Sequence, residues 1–233
     1  FTMLVSKIKV QSAKSPNEAT WPYIIGTMYE QSKQYTKAIE YYETANSKDV
    51  SPVIHQRISE CHYELGDYED ALNSINQALN LDSTDLSYKA RKANIYYEMG
   101  DVKSAIAEWD NVLEAQPEYG FGYYRRGWFK ELAGDMEGAI EDLSMSIVLD
   151  PEYSYAYVSR GDVYMKQGKK ELAEADFTKV IEIENSPEKY ECIHYAYQGM
   201  GDYDKAIAAI DSIIARDSTD AGSYYDAACL MSR

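Results

Sequence analysis

The stretch Gly120–Pro151, GFGYYRRGWFKELAGDMEGAIEDLSMSIVLDP, decides the fold because its pattern returns on both sides. Downstream, Ser154–Asn185 reads SYAYVSRGDVYMKQGKKELAEADFTKVIEIEN, and upstream, Ser87–Pro117 reads SYKARKANIYYEMGDVKSAIAEWDNVLEAQP. The most regular mark is an alanine: Ala38, Ala71, Ala105, Ala139, Ala173 and Ala206, at steps of 33 or 34 residues. Self-similarity at that period is the signature of a solenoid, in which each unit buries its apolar face against its neighbours.

With the alanine counted as the twentieth residue of each unit, six units span 19–51, 52–85, 86–119, 120–153, 154–186 and 187–220. Residues 1–18 then form a leading half-unit whose helix is expected over 3–14, on Leu4, Val5 and Ile8. Residues 221–233 begin a seventh unit, so the chain reads as a piece of a longer protein, or as its ordered part. Inside each unit, apolar residues recur at helical spacing twice, as in Trp21, Ile25, Met28 and Tyr29, and in Ala71, Leu72, Ile75, Ala78 and Leu79. The two runs are separated by Gly66-Asp67, Gly100-Asp101, Gly134-Asp135, Gly168-Lys169 or Gly201-Asp202, where glycine supplies the left-handed residue that ends a helix. Pro117 and Pro151 stop the second helix.

These residues resemble the tetratricopeptide repeat family. Its small residue at position eight is matched by Gly26, Ala93, Gly127 and Gly161, and its aromatic at eleven by Tyr29, Tyr96, Tyr164 and Tyr197. Alanine stands at twenty throughout, and a large apolar residue at twenty-four: Tyr42, Ile75, Trp109, Leu143, Phe177 and Ile210. Ser59 and His194 at eight, and His62 and Lys130 at eleven, depart from the pattern. The resemblance implies an all-α, right-handed α-solenoid of helix-turn-helix repeats, with no catalysis and no cofactor, acting as a protein-interaction scaffold.

Net charge is −16, which argues against nucleic acid as a partner, since phosphate binding needs a basic face. No apolar run is long enough to span a membrane. Cys61, Cys192 and Cys229 have neither disulfide nor metal spacing, and leave cytoplasm and periplasm equally open. His55 and His62 stand seven apart, at packing positions, where a helical metal pair would stand four apart.

Two basic series differ in meaning. At position seven, Lys92, Arg126 and Arg160 appear only in the units that carry Glu108, Asp142 and Asp176 at position twenty-three. That co-occurrence predicts three ion pairs between paired helices. At position six, Arg57, Arg91 and Arg125 have no such partner series. The resemblance puts position six, with two, five, nine and twelve, on the concave face of the first helices. The expected groove is Arg57, Arg91, Asn94, Tyr97, Phe121, Tyr124, Arg125, Trp128 and Tyr155, and its expected ligand is a peptide or protein segment with acidic and apolar residues. Neutralisation of the arginines by Glu60, Glu64, Glu98 or Glu131 is the competing reading. The clamp by which some family members hold chaperone C-termini is not matched, because Glu60 has the wrong sign for it. Two further readings are an assembly arm of a larger protein, and self-association through the trailing helix with Tyr224, Ala228 and Leu230.

Overall fold

The computed structural model describes residues 6–8, 10, 14–15, 17–186, 189–217, 219 and 221–231. The leading helix expected over 3–14 falls for the most part outside them. Among the described residues beyond position 19 the chain is a succession of helices and turns, without strands. It divides into two compact units, residues 1–112 and 113–233, with the boundary in the last turn of one helix.

Unit one holds α1 (Thr20–Gln31), α2 (Tyr35–Asn46), α3 (Pro52–Leu65), α4 (Tyr68–Leu81), α5 (Leu86–Glu98) and most of α6 (Val102–Ala115). Unit two holds α7 (Gly120–Leu132), α8 (Met136–Leu149), α9 (Ser154–Lys166), α10 (Lys170–Ile183), α11 (Ile193–Gly199), α12 (Tyr203–Arg216) and α13 (Ala221–Met231). Within each unit, helices adjacent in sequence pack as hairpins, and each hairpin packs on the next.

The turn chemistry is uniform. Gly66, Gly100, Gly134, Gly168 and Gly201 have φ between +72° and +84°. The amide of each donates to the carbonyl three residues back, and the following amide to the carbonyl five back, which closes the first helix. Asp101, Asp135 and Asp202 follow, and their carboxylates accept from the amides of Ser104, Gly138 and Lys205 at 3.0, 3.0 and 3.3 Å, which starts the second helix. In the α1–α2 turn the glycine place is taken by Lys33, with φ 56° and the same two hydrogen bonds.

All six frame alanines are fully buried. In unit two, Phe177 shows why position eight is small. Its ring lies so close to Gly161 of α9 and Gly199 of α11 that a methyl group at either would stand 2.6 or 2.5 Å from a ring carbon. One ring thus seals a hairpin internally and against its successor.

The three predicted interhelical ion pairs are present. Lys92 Nζ lies 2.8 Å from Glu108. Arg126 grips Asp142 through Nε and Nη2, both at 2.7 Å, and Arg160 grips Asp176 at 2.9 and 2.7 Å. Asp142 and Asp176 are buried, so these are desolvated bidentate bridges. Lys130 explains its own departure from the aromatic pattern: its Nζ is 2.8 Å from the same Asp142 carboxylate.

One expected helix start moves. The repeat frame opens a helix at Pro187, but α11 begins at Ile193. The buried Glu184 carboxylate supplies the reason. It accepts from the backbone amides of Glu191, Cys192 and Ile193 at 2.7–3.2 Å and from Cys192 Sγ at 3.1 Å, and so caps the late start. Burial, then the Glu184 charge, pushes the Cys192 thiol far up.

Two stability predictions follow from these contacts. Asp142→Ala strands two bases and should cost about 3–5 kcal/mol. Arg126→Ala leaves Lys130 in place and should cost about 2 kcal/mol. The double variant, measured by denaturant unfolding, should fall short of the sum; strict additivity contradicts the bridge. Lys33→Gly should raise stability by about 0.5–1 kcal/mol, since it relieves a left-handed β-carbon at some cost in unfolded-chain entropy. An unchanged unfolding midpoint would remove strain at Lys33.

Candidate functional site

In unit one the candidate face is built on α1, α3 and α5. Arg57 of α3 and Arg91 of α5 do not stand open to solvent. Arg57 Nη1 lies 3.3 Å from Glu30 of α1 and 3.1 Å from Glu60, one helical turn further along α3. Arg91 Nη2 reaches the other oxygen of Glu60 at 3.2 Å, and its guanidinium stacks 5.7 Å over the Tyr63 ring. Each carboxylate is fixed by a further donor: Gln56 Nε2 bonds Glu60 at 3.1 Å, and the Tyr42 hydroxyl bonds Glu30. The phenol of Tyr42 is pushed strongly up by burial first and by that carboxylate second.

The face is therefore a row of alternating charges, Glu30–Arg57–Glu60–Arg91. Of the four carboxylates expected to neutralise the arginines, Glu60 does so. Glu64 and Glu98 are instead taken by tyrosine hydroxyls, Tyr35 at 3.3 Å and Tyr63 and Tyr68 at 3.1 and 3.4 Å. Glu30 was not among the expected partners; it stands one hairpin earlier, on α1, while Arg57 stands on α3. Asn94 and Tyr97 of α5 are both half-buried.

In unit two the candidate residues lie on α7 and α9. Phe121, Tyr124, Tyr153 and Tyr155 form one aromatic cluster, with centroid distances of 5.9 Å from Phe121 to Tyr124, 5.1 Å from Tyr124 to Tyr153 and 5.8 Å from Tyr153 to Tyr155. Tyr119 extends it, 5.9 Å from Phe121. The edge-on and tilted geometries are those that aromatic quadrupoles favour. Phe121 remains 42% exposed, which is high for a residue in such a cluster. Tyr153 was absent from the sequence-derived set, because it precedes α9 and belongs to no helical register; its place beside Pro151 was the available signal. Burial raises the phenols of Tyr124, Tyr153 and Tyr155, the last to about 12, so all three are hydroxyl donors at neutral pH.

Arg125 follows the cluster on α7. Its guanidinium lies 5.1 Å over the Trp128 ring and 5.3 Å over the Phe129 ring, a cation–π arrangement that orients it. Glu131, expected nearby as a neutraliser, is bonded by Lys166 Nζ at 2.6 Å. Further along, Tyr195 and His194 of α11 both contact Asp226 of α13, at 2.9 and 3.2 Å, which docks that helix.

Among the described residues no group of three or more histidine, cysteine, aspartate or glutamate side chains is placed to hold a metal ion. His55 is buried, with Nε2 3.3 Å from the Asn46 amide. Among the described residues no helix is long and apolar enough to cross a membrane.

Comparison with known proteins agrees with this geometry. A model of the fourth ARM domain of tetratricopeptide repeat protein 21 matches residues 24–115, and two tetratricopeptide repeat models match residues 90–154 and 154–187. No curated protein matches the sequence. Among solved structures, the C-terminal part of a repeat-containing protein from Cytophaga hutchinsonii is 20% identical and covers 96% of this chain and 93% of its own length, with a TM-score of 0.70. MamA from Desulfovibrio magneticus RS-1 is 22% identical over 72% of this chain and 95% of its own, with a TM-score of 0.64. YrrB, described as a tetratricopeptide protein with an unusual peptide-binding site, is 13% identical over 83% of this chain and 97% of its own, with a TM-score of 0.62. At these identities the likeness concerns the fold alone. Matched by these three models from residue 24 to residue 187, the chain belongs to the tetratricopeptide repeat family, an α-solenoid architecture that serves as a scaffold for protein interaction.

Proposed function

We propose that the first-helix face of each unit, taken by itself, binds an extended peptide or protein segment carrying acidic and apolar residues, and that the chain does no chemistry on it. The observation that carries the reading is the cluster of Phe121, Tyr124, Tyr153 and Tyr155, partly exposed and adjoining Arg125 on the same helix pair. Large rigid rings give contact area at low entropic cost, and tyrosine, tryptophan and arginine are the types that dominate binding energy. Ordered hydroxyl donors beside them suit the unsatisfied carbonyls of an extended chain. Arg125, held flat by Trp128, is preorganised for a two-bond grip on a carboxylate. In unit one, Arg57, Arg91, Asn94 and Tyr97 supply the corresponding face. YrrB, with its peptide-binding site, supports the reading at the level of architecture.

A second reading, self-association, is favoured by α13. Tyr224 and Tyr225 on that helix are 49% and 70% exposed. The side chains of Ala228 and Leu230, expected to join them, lie outside the described ones.

Selection of a random peptide display library on the wild-type chain should enrich segments with carboxylates and large apolar side chains. Arg125→Glu and Arg91→Glu should each weaken the selected segment about tenfold, with an effect that shrinks as salt rises. Unchanged affinity in both folded variants would sink the assignment. Arg160→Glu is unsuitable, because Arg160 bridges to Asp176 inside the hairpin. Light scattering over a range of concentrations tests the second reading: Tyr225→Ser should reduce any rise in mass, and a constant monomer mass for the wild type removes it.

A further inference from the structure

We propose that Glu60 is the specificity-determining residue of the unit-one face. It fills the carboxylate site between Arg57 and Arg91, and so confines that face to segments that carry a basic residue beside each acidic one. The proposal rests on the reading of the first-helix face as a peptide site.

Glu60 makes the contacts that a bound carboxylate would make. One oxygen accepts from Arg57 at 3.1 Å, and the other from Arg91 at 3.2 Å and from Gln56 at 3.1 Å. Glu30 caps the row on the far side of Arg57. Two acids and two bases balance, and none of the four is fully exposed: side-chain exposure is 18–19% for the glutamates and 31–38% for the arginines. Partial burial strengthens every charge interaction within the row relative to open solvent.

A ligand carboxylate that joins Arg57 or Arg91 either displaces Glu60 from the one nitrogen it holds or shares the guanidinium with it. The glutamate and the ligand would then be two like charges sharing bases already matched by Glu30 and Glu60. A purely acidic segment therefore meets repulsion along with its grip. A segment with an ammonium or guanidinium next to its acid escapes this, because its base takes Glu60 as its acid takes Arg57 or Arg91. The ion pairs exchange partners and no charge is left unmatched.

A second observation places the ligand's base. A cleft of about 370 Å³ adjoins the row, lined by Glu30, Glu60 and Glu64 with Lys33, Tyr35 and Arg91. Three carboxylates converge on it from α1 and α3. The cleft is wide enough for a lysine or arginine side chain, with Tyr35 as an apolar wall.

The test uses the full chain and two short fluorescent peptides of equal apolar content. One carries glutamates among leucines; in the other a lysine accompanies each glutamate. Fluorescence anisotropy at fixed low salt should show the wild type binding the mixed-charge peptide about tenfold more tightly than the acidic one. Glu60→Gln should reverse the order by gaining affinity for the acidic peptide, and Glu60→Ala, which removes the group that Gln56 holds, should do the same. Melting temperature establishes that both variants are folded. If wild type and both variants share one order of preference, the role of Glu60 is overturned while the peptide site stands. If neither peptide binds wild type or variants, the peptide-site reading fails and this proposal falls with it.

Discussion

The structure depends on how closely two helices of a hairpin can approach. At the crossing point the second helix presents a fully buried alanine in every hairpin: Ala38, Ala71, Ala105, Ala139, Ala173 and Ala206. The first helix answers with a residue of no greater size than its partner's side chain tolerates, as Gly161 does beside Phe177, and Gly199 of the following hairpin does the same on the ring's other side. A larger group there would force the helices apart and open the core to strain, since interiors packed to crystalline density do not absorb an extra methylene cheaply. Everything outward of that contact inherits its spacing, including the distance across which Arg126 reaches Asp142 and the rows of side chains on the first-helix faces.

That constraint is why so much of the fold was legible. A residue fixed by close approach recurs at the repeat period, and periodic marks can be read without coordinates. The same holds for Lys92, Arg126 and Arg160, whose acids appear and vanish with them, because a half-buried base without its partner is costly. Lys130 was legible only as an irregularity: the pattern called for a ring, and the reason for a base is the Asp142 carboxylate across the hairpin.

The aperiodic features were hidden. Glu184 caps a helix that begins late, through amides seven to nine residues away, and nothing in the register announces it. Lys33 stands where every other turn has glycine, which comparison of the turns exposes but the α1–α2 stretch alone does not. On the candidate face the arginine series was visible and its electrostatic state was not. Glu30 and Glu60 occupy different positions in their hairpins, so no single column of the repeat displays both of them as the partners of Arg57. Side-chain reach, rather than backbone register, decides such contacts, and long flexible glutamates have several bases within range.

The two classes of ion pair differ in what they join, and the difference bears on how such chains grow. Lys92–Glu108, Arg126–Asp142 and Arg160–Asp176 each close within one hairpin. A hairpin that balances its own buried charge can be duplicated, deleted or exchanged by recombination without stranding an ion in the core. Glu30–Arg57 and Glu60–Arg91 instead join successive hairpins, and their arginines are more exposed than Arg126 and Arg160, so a lost partner is replaced by water at lower cost. Copying errors in repeat number are thereby tolerated by the core and registered on the first-helix face, which allows a lineage of such arrays to change length and surface charge while keeping its fold.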